Sequence, residues 1–186
     1  MNDILRAKIY ALLSKLYSDT IDARVLNDLK TNKEILTLFG EDANSFILNS
    51  DERKVLNECN IDFSSIFLLN AKPIESSVID SKSDVLVGLS NPVMEFYFKH
   101  GYNINLINTH IQTPDHISIE LGFMQKLILD KDTKAQRVFL KKHLLSWAIS
   151  YLISISDMAK TPFYKDLFDF TIEFLVSDYS FLKAEA

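Results

Sequence analysis

Three of the four prolines in this sequence stand directly after a residue type that caps helices. The three dipeptides are Asn91-Pro92, Thr113-Pro114 and Thr161-Pro162. Asn and Thr side chains accept hydrogen bonds from the first turn of a helix, and proline is favoured at the first helical position. Each dipeptide therefore predicts a helix start.

Turn-forming residues are otherwise scarce. The chain has four Gly and four Pro in 186 residues, whereas these two types make up roughly 12% of an average protein. A many-stranded β fold needs turns at short intervals, so the composition disfavours one. We predict an all-α fold in which residues 1–186 form a single globular helical-bundle domain, long enough to bury a proper core.

Apolar residues recur at helical spacing in several segments, which predicts helices at 3–17, about 21–30 and about 32–39. The longest stripe begins after Thr133 and continues for about five turns. It consists of Leu140, Leu144, Trp147, Tyr151, Ile155 and Met158. We interpret it as one central helix, capped by Thr133 in a capping box with Gln136.

Residues 71–90 show the least periodicity in the chain and contain Pro73 together with several serines. Such a composition is typical of a loop. We predict a hinge-like connector here, between an N-terminal helical layer at about 1–70 and a C-terminal helical layer at 91–186.

Charge and cysteine content exclude several classes of protein. The net charge of −5 argues against nucleic acid and is compatible with a cationic peptide. The single cysteine, Cys59, permits no internal disulfide and offers too little sulfur for a zinc or iron–sulfur site. Charges among the first residues do not fit a signal peptide, and no apolar run reaches about 18 residues. We expect a cytoplasmic protein without a membrane span.

The stretch from Thr113 to Met124 combines a helix start with ionisable side chains. Thr113 is the predicted cap, Pro114 the first helical residue, and Asp115 adds negative charge to the first turn. His116 and Glu120 lie four residues apart, beside an apolar face. That face consists of Ile117, Leu121, Met124 and Ile128. The polar side chains form either the rim of a site or a solvated edge.

The sequence offers little support for a catalytic site or a metal site. His116 and Glu120 have a spacing that can hold a metal, with His110 and His143 as conceivable further ligands, but no His-Glu-x-x-His motif and no second cluster accompany them. The alternative for His116 is a hydrogen bond to its neighbouring carboxylate. The chain also lacks a nucleophile elbow and a Gly-rich phosphate loop. We predict no metal, no cofactor and no enzymatic activity.

The same stretch carries a family resemblance. The pattern Pro-Asp-His-(Ile/Leu)-x-x-Glu-Leu-x-Phe-Met is present as Pro114, Asp115, His116, Ile117, Glu120, Leu121, Phe123 and Met124. It resembles the central motif of the cytoplasmic redox-enzyme maturation chaperones of the TorD/DmsD/NarJ type. Similar flanking segments are Pro73-Ile74-Glu75-Ser76, His143-Leu144 with Trp147, and Phe163-Tyr164. The resemblance covers roughly residues 70–175 and is most specific in the central motif.

The resemblance implies a non-enzymatic cytoplasmic chaperone. Its partners would be a molybdoenzyme catalytic subunit and the twin-arginine leader peptide of that subunit. It would bind the leader, the core of the subunit or both, and assist cofactor insertion and assembly before export. It would be a monomer or a dimer that swaps domains through residues 71–90. The alternatives are a helical adaptor with a different partner and a small-molecule enzyme that uses His116 and Glu120.

Six residues are candidates for peptide binding: Asp115, His116, Glu120, Glu75, Ser76 and Tyr97. Carboxylates pair bidentately with guanidinium groups, so Asp115 is the predicted arginine partner. His116 would orient that carboxylate or donate to the peptide backbone. Glu75 and Ser76 either line the groove or belong to an inert linker, and Tyr97 has a role in the core as its alternative. For Trp147 and His143 we predict a core position and a buried hydrogen-bond partner, respectively.

Overall fold

The computed structural model describes residues 2–79, 91–107, 109 and 111–184. Within these ranges the chain forms helices and no strand, which confirms the all-α prediction. The described part contains one isolated antiparallel bridge, between Ile74 and His116. Residues 80–90, which include the whole second half of the predicted connector, and the metal-ligand candidate His110 lie outside the described residues.

The helices of the N-terminal half are α1 (Asp3–Ser18), α2 (Ala23–Thr31), α3 (Lys33–Phe39), α4 (Glu41–Asn49) and α5 (Glu52–Phe63), followed by a π-helix (Ser64–Asn70) and α6 (Glu75–Ile79). Those of the C-terminal half are α7 (Val93–Lys99), α8 (Ile117–Leu129), α9 (Thr133–Lys142), α10 (Leu144–Ile155), a 3₁₀ turn (Ser156–Met158) and α11 (Pro162–Ala184). The predicted helices near residues 3–17, 21–30 and 32–39 are confirmed.

The chain divides into two compact units. The first unit comprises residues 1–18, 73–149 and 175–186, and the second comprises residues 19–72 and 150–174. The acidic and histidine residues of the central motif all belong to the first unit.

The core of the first unit is built where α1 packs against α8 and α8 against α9. Ser14 of α1 donates a hydrogen bond to the carbonyl of Ser118 (2.6 Å). A Cβ atom at Gly122 would lie 2.8 Å from the Tyr102 hydroxyl, so a larger residue here would require the Tyr102 side chain to move. Aromatic rings fill the space beyond, with Phe123 at 4.7 Å from Phe139 between centroids.

The second unit is built around aromatic contacts and one buried carboxylate. Phe39 contacts Phe170 at 5.0 Å between centroids. Asp62 is 2% exposed, and its Oδ2 accepts from the Lys160 amide (2.9 Å), the Thr161 amide (2.7 Å) and the Thr161 hydroxyl (2.8 Å). The carboxylate thereby anchors the residues before α11. The helix begins at Pro162, as predicted from Thr161-Pro162.

Asn91-Pro92 also precedes a helix as predicted, since α7 begins at Val93 and the Asn91 side chain accepts from the Val93 amide (3.1 Å). The predicted start at Thr113-Pro114 is wrong, because α8 begins at Ile117. The intervening residues form a turn at Pro114 and Asp115 and an extended residue at His116, and this segment pairs through its backbone with another one. The Asp115 carbonyl accepts from the Glu75 amide (3.0 Å), and the Ile117 amide donates to the Pro73 carbonyl (2.9 Å).

The prediction of one long helix from Thr133 is also wrong. The chain leaves helical geometry at His143 (φ −112°, ψ −88°), which separates α9 from α10. The cap of α9 is Asp132, whose side chain accepts from the Ala135 amide (2.9 Å). Gln136 does not complete a capping box, because its side chain donates to the Leu127 carbonyl (3.1 Å) and accepts from a guanidinium group described below.

No single helix in the described ranges is long and apolar enough to cross a membrane. One bent pair, α9 with Leu144–Met158, meets that test by length and composition alone.

Candidate functional site

The bridge between Ile74 and His116 brings together two segments that lie about 40 residues apart in sequence. Glu75 and Ser76 open α6 immediately after the bridge. The Ser76 amide donates to Asp115 Oδ2 (2.8 Å). Three of the predicted peptide-binding residues are therefore neighbours in the first unit.

Asp115 is completely buried. Its Oδ1 has no hydrogen-bond partner within the described part of the chain. The turn that carries it is held by Tyr97, whose hydroxyl donates to the Pro114 carbonyl (3.0 Å). Tyr97 is itself fully buried, so it supports Asp115 from the core.

Glu75 pairs with His143, which occupies the break between α9 and α10. His143 Nδ1 hydrogen-bonds both oxygens of the carboxylate, at 2.8 Å and 3.1 Å. The imidazole ring stacks on Phe139 (4.9 Å between centroids, 28° between planes) and meets Phe96 edge-on (5.2 Å). The buried partner predicted for His143 is thus confirmed as Glu75, and the pair stands at the break between the two helices.

Glu120 lies in α8 and has no exposed surface. Its Oε2 accepts from the indole N–H of Trp147 (3.2 Å), whereas its Oε1 lacks a partner among the described residues. Burial raises the pKa of Glu120 well above its ordinary value, and the nearby Glu75 carboxylate raises it further. The Trp147 hydrogen bond partly opposes this rise, and Asp115 adds to it. Trp147 is fully buried, as predicted.

Glu75, Asp115 and Glu120 together are called the acidic cluster below. His116 stands beside this cluster as the cap of α8, with its Nδ1 accepting from the Ser118 amide (3.3 Å). It is half-buried.

A pocket of about 430 Å³ opens onto the cluster. Its described walls are Glu75, Ser76, Ile79, Asn91, Pro92, Asp115, Lys142 and His143. Of the predicted residues, Glu75, Ser76 and Asp115 line this pocket, while Glu120 and Tyr97 support it from the core. Sequence reasoning did not place Asn91, Lys142 or His143 in the site. For His143 a signal existed in the His143-Leu144 segment of the family resemblance, whereas nothing in the sequence pointed to the other two.

The arrangement suits the binding of a cation by carboxylates. No group of three or more His, Cys, Asp or Glu side chains among the described residues has the geometry to hold a metal ion. The thiol of Cys59 is a poor nucleophile, because burial raises its pKa to about 12, with added effects of the Asp62 and Glu58 charges. A guanidinium or ammonium group is the ligand that buried carboxylate oxygens bind best.

Comparison with known proteins places this sequence in a family. The sequence pattern of the nitrate reductase delta subunit family matches residues 23–150, which is more than half of the chain. The chain belongs to the nitrate reductase delta subunit family. The matched range includes the acidic cluster, His143 and every described wall of the pocket.

Within the nitrate reductase delta subunit family, the chain is similar to proteins named chaperone protein TorD. The TorD of Shewanella pealeana is 25% identical, with 98% of this chain and 92% of that protein covered. The TorD of Aliivibrio salmonicida is 28% identical over 90% of this chain and 76% of its own length. The TorD of Shewanella oneidensis is 23% identical, with coverages of 96% and 90%. The predicted resemblance to TorD-type chaperones is confirmed, and the relatives are named as chaperones and not as enzymes.

Proposed function

We propose that this protein is a maturation chaperone that binds the twin-arginine leader peptide of a molybdoenzyme catalytic subunit at the pocket beside the acidic cluster. It acts in the cytoplasm, where the leader is still attached, and assists cofactor insertion and assembly before export. Membership of the nitrate reductase delta subunit family and the similarity to chaperones named TorD support the class of function. The observation that carries the choice of ligand is the buried Asp115 carboxylate.

Asp115 Oδ1 is buried without a donor from the described residues. Leaving a buried acceptor unsatisfied costs about 1–3 kcal/mol. A guanidinium group carries five N–H donors in a planar fork and pairs with carboxylates through two parallel hydrogen bonds. An arginine side chain that enters the pocket would therefore supply the missing donor, with the Glu75 carboxylate as a second acceptor.

The pocket also offers apolar surface for the stem of that arginine and for the residue next to it. Ile79 and Pro92 are both exposed wall residues, and an arginine buries its methylene stem on apolar surface while its charge is paired. Cation binding at the floor and apolar contact at the mouth match a leader that carries adjacent arginines followed by an apolar stretch.

Titration calorimetry with the leader peptide tests this proposal. The Asp115→Asn variant keeps the size of the side chain and an acceptor for the Ser76 amide, but loses the charge. Truncating one partner of a buried charged pair at an interface costs about 2–5 kcal/mol of binding free energy. We expect a loss of that size with the native leader, and a similar loss for the wild-type protein with a leader whose two arginines are replaced by lysine.

Two further variants serve as controls. Asp130 is a half-exposed aspartate of the first unit that pairs with Lys126 at the surface (2.6 Å), so Asp130→Asn should leave affinity unchanged. His116→Ala distinguishes two roles of the histidine, contact with the peptide and capping of α8. Lost affinity at unchanged stability would show that His116 contacts the peptide. Native affinity in Asp115→Asn would show that the leader binds elsewhere.

A further inference from the structure

The acidic cluster contains three buried carboxyl groups but no buried Lys or Arg among its described partners. Asp115 accepts from a backbone amide, Glu120 from an indole N–H, and Glu75 from His143. His143 is thus the one described partner of the cluster that can carry positive charge.

The surroundings of Glu120 offer little to balance a charge there. Two of its neighbours are carboxyl groups, Glu75 of α6 and Asp115 of the segment before α8. The other two are uncharged, the indole of Trp147 on α10 and the phenol of Tyr97 on α7. On α1, which packs against α8, the buried Arg6 pairs with Asp178 instead. On α9, Lys142 is an exposed wall residue of the pocket, and His143 follows it with its hydrogen bonds on Glu75. Three carboxylates cannot all be charged at low dielectric beside one imidazole without a large free-energy cost.

We propose that the free protein stores a proton on Glu120 and releases it when the arginine of the leader binds at Asp115 and Glu75. This inference rests on the proposed function, because the leader supplies the displacing cation. On binding, the O–H bond of Glu120 breaks, the proton passes to solvent, and the cluster gains the positive charge of the guanidinium in its place. No electrons are transferred.

This exchange, in which the guanidinium charge replaces the proton of Glu120, has an electrostatic cause. Besides burial, the charges that raise the pKa of Glu120 are those of Glu75 and Asp115. A guanidinium that pairs with these two carboxylates neutralises their effect on Glu120, so its pKa falls and the proton leaves. Binding and deprotonation are then linked, and the affinity for the leader rises with pH until Glu120 is ionised in the free protein as well.

Titration calorimetry in two buffers with different heats of ionisation counts the protons. For the wild-type protein we expect close to one proton released per leader bound, and an affinity that rises by up to about tenfold per pH unit. Glu120→Gln retains an acceptor for Trp147 but has no proton to lose, so it should bind the leader with no net release and little pH dependence. Glu173→Gln, a change at an exposed glutamate of the second unit, should release the proton as the wild type does.

Infrared difference spectroscopy gives a second readout, first on the free protein and then on its complex with the leader. The free wild-type protein should show the carbonyl band of a protonated, buried carboxylic acid at neutral pH. The band should be absent from Glu120→Gln and should disappear from the wild type when the leader binds.

The outcomes separate the two proposals. If the leader binds tightly but the wild type and Glu120→Gln release equally few protons, the exchange is wrong and the proposed function stands. If the infrared band is present but no leader binds, the leader is not the displacing cation, and both proposals fall. The absence of a Glu120-dependent band in the free protein overturns the exchange on its own.

Discussion

The first unit contains two buried clusters of charged residues with opposite designs. In one, which we call the paired cluster, Arg6 donates from Nε to Asp178 Oδ1 (2.6 Å) and from Nη2 to Oδ2 (3.1 Å). Gln136 accepts from the same guanidinium (2.8 Å), and Tyr10 donates to the carboxylate (2.9 Å). In the other, the acidic cluster, two carboxylate oxygens lack described partners.

The difference indicates that the buried charges of the paired cluster stabilise the fold, whereas those of the acidic cluster are available to bind a partner. In the paired cluster the chain supplies both the carboxylate and the guanidinium, and almost every polar atom of the pair is satisfied from within. In the acidic cluster the carboxylates are held in place by backbone, indole and imidazole groups, but no guanidinium from the described chain reaches them. The paired cluster therefore illustrates the contact that we propose a leader arginine makes in the acidic cluster.

The largest effect is expected for Asp178→Asn in the paired cluster. This change removes the buried counter-ion of the Arg6 charge and leaves only the exposed carboxylate of Asp3, and breaking a buried pair destabilises proteins by about 3–5 kcal/mol. Urea denaturation should show a loss of that size in the free energy of unfolding. Asp3→Asn is the matched control, because Asp3 also pairs with Arg6 (2.8 Å) but is 60% exposed, and exposed pairs contribute about 0–1 kcal/mol. Equal losses in the two variants would contradict the structural role of Asp178.

An intermediate effect is expected for Asp62→Asn in the second unit. Asp62 Oδ2 accepts three hydrogen bonds ahead of α11, and a neutral amide oxygen replaces them with fewer and weaker ones. Lost hydrogen bonds to a charged group cost about 1–3 kcal/mol. The same denaturation assay measures it, and an unchanged free energy of unfolding would show that Asp62 does not anchor the helix.

The next prediction concerns the pH dependence of stability. Because the folded-state pKa of Glu120 is raised, its contribution is complete below the ordinary Glu pKa of about 4.3 and is lost as the pH rises toward the folded-state pKa. The loss is at most about 1.4 kcal/mol per pH unit. Relative to the wild type, Glu120→Gln should therefore gain stability between acid and neutral pH. Denaturation at a series of pH values tests this, and parallel profiles for the two proteins would contradict it.

The smallest effect on stability is expected for Asp115→Asn in the acidic cluster. The variant keeps an oxygen for the Ser76 amide, loses no described partner of Oδ1, and relieves repulsion from the Glu75 carboxylate. We expect a change within about 0.5 kcal/mol, the range of substitutions that break no specific interaction. A loss as large as that of Asp178→Asn would mean that Asp115 has a structural role and would remove the contrast between the two clusters.

Local signals in the sequence were sufficient for much of the helical fold. The starts of α7 and α11 follow from Asn91-Pro92 and Thr161-Pro162, because capping and the fixed φ of proline act within one turn. The same signal at Thr113-Pro114 predicted the wrong start for α8. There the backbone of Asp115 and Ile117 pairs with residues 73–75, a contact that a local pattern does not contain.

The candidate site was only partly predictable for the same reason. The family resemblance predicts Asp115, Glu75 and Ser76 as site residues, and the structure places them together around one pocket. His143 was assigned a buried partner, but its place in that pocket depends on a break in what looked like a continuous helix. Asn91 carries only a helix-capping signal and Lys142 no distinctive pattern, so neither indicates a site, and only the tertiary structure brings them to the pocket wall.

The sequence by itself determined most of the helical segments, that the chain is an all-α protein, and the family to which it belongs, because these depend on spacing, capping and motifs within short windows. The tertiary structure alone decided which buried charges are paired. Arg6 meets a carboxylate 172 positions away, whereas Asp115 and Glu120 meet no guanidinium in the described chain. Whether a buried carboxylate finds its counter-ion depends on contacts between distant segments, and that distinction separates the structural cluster from the one that we propose binds a partner.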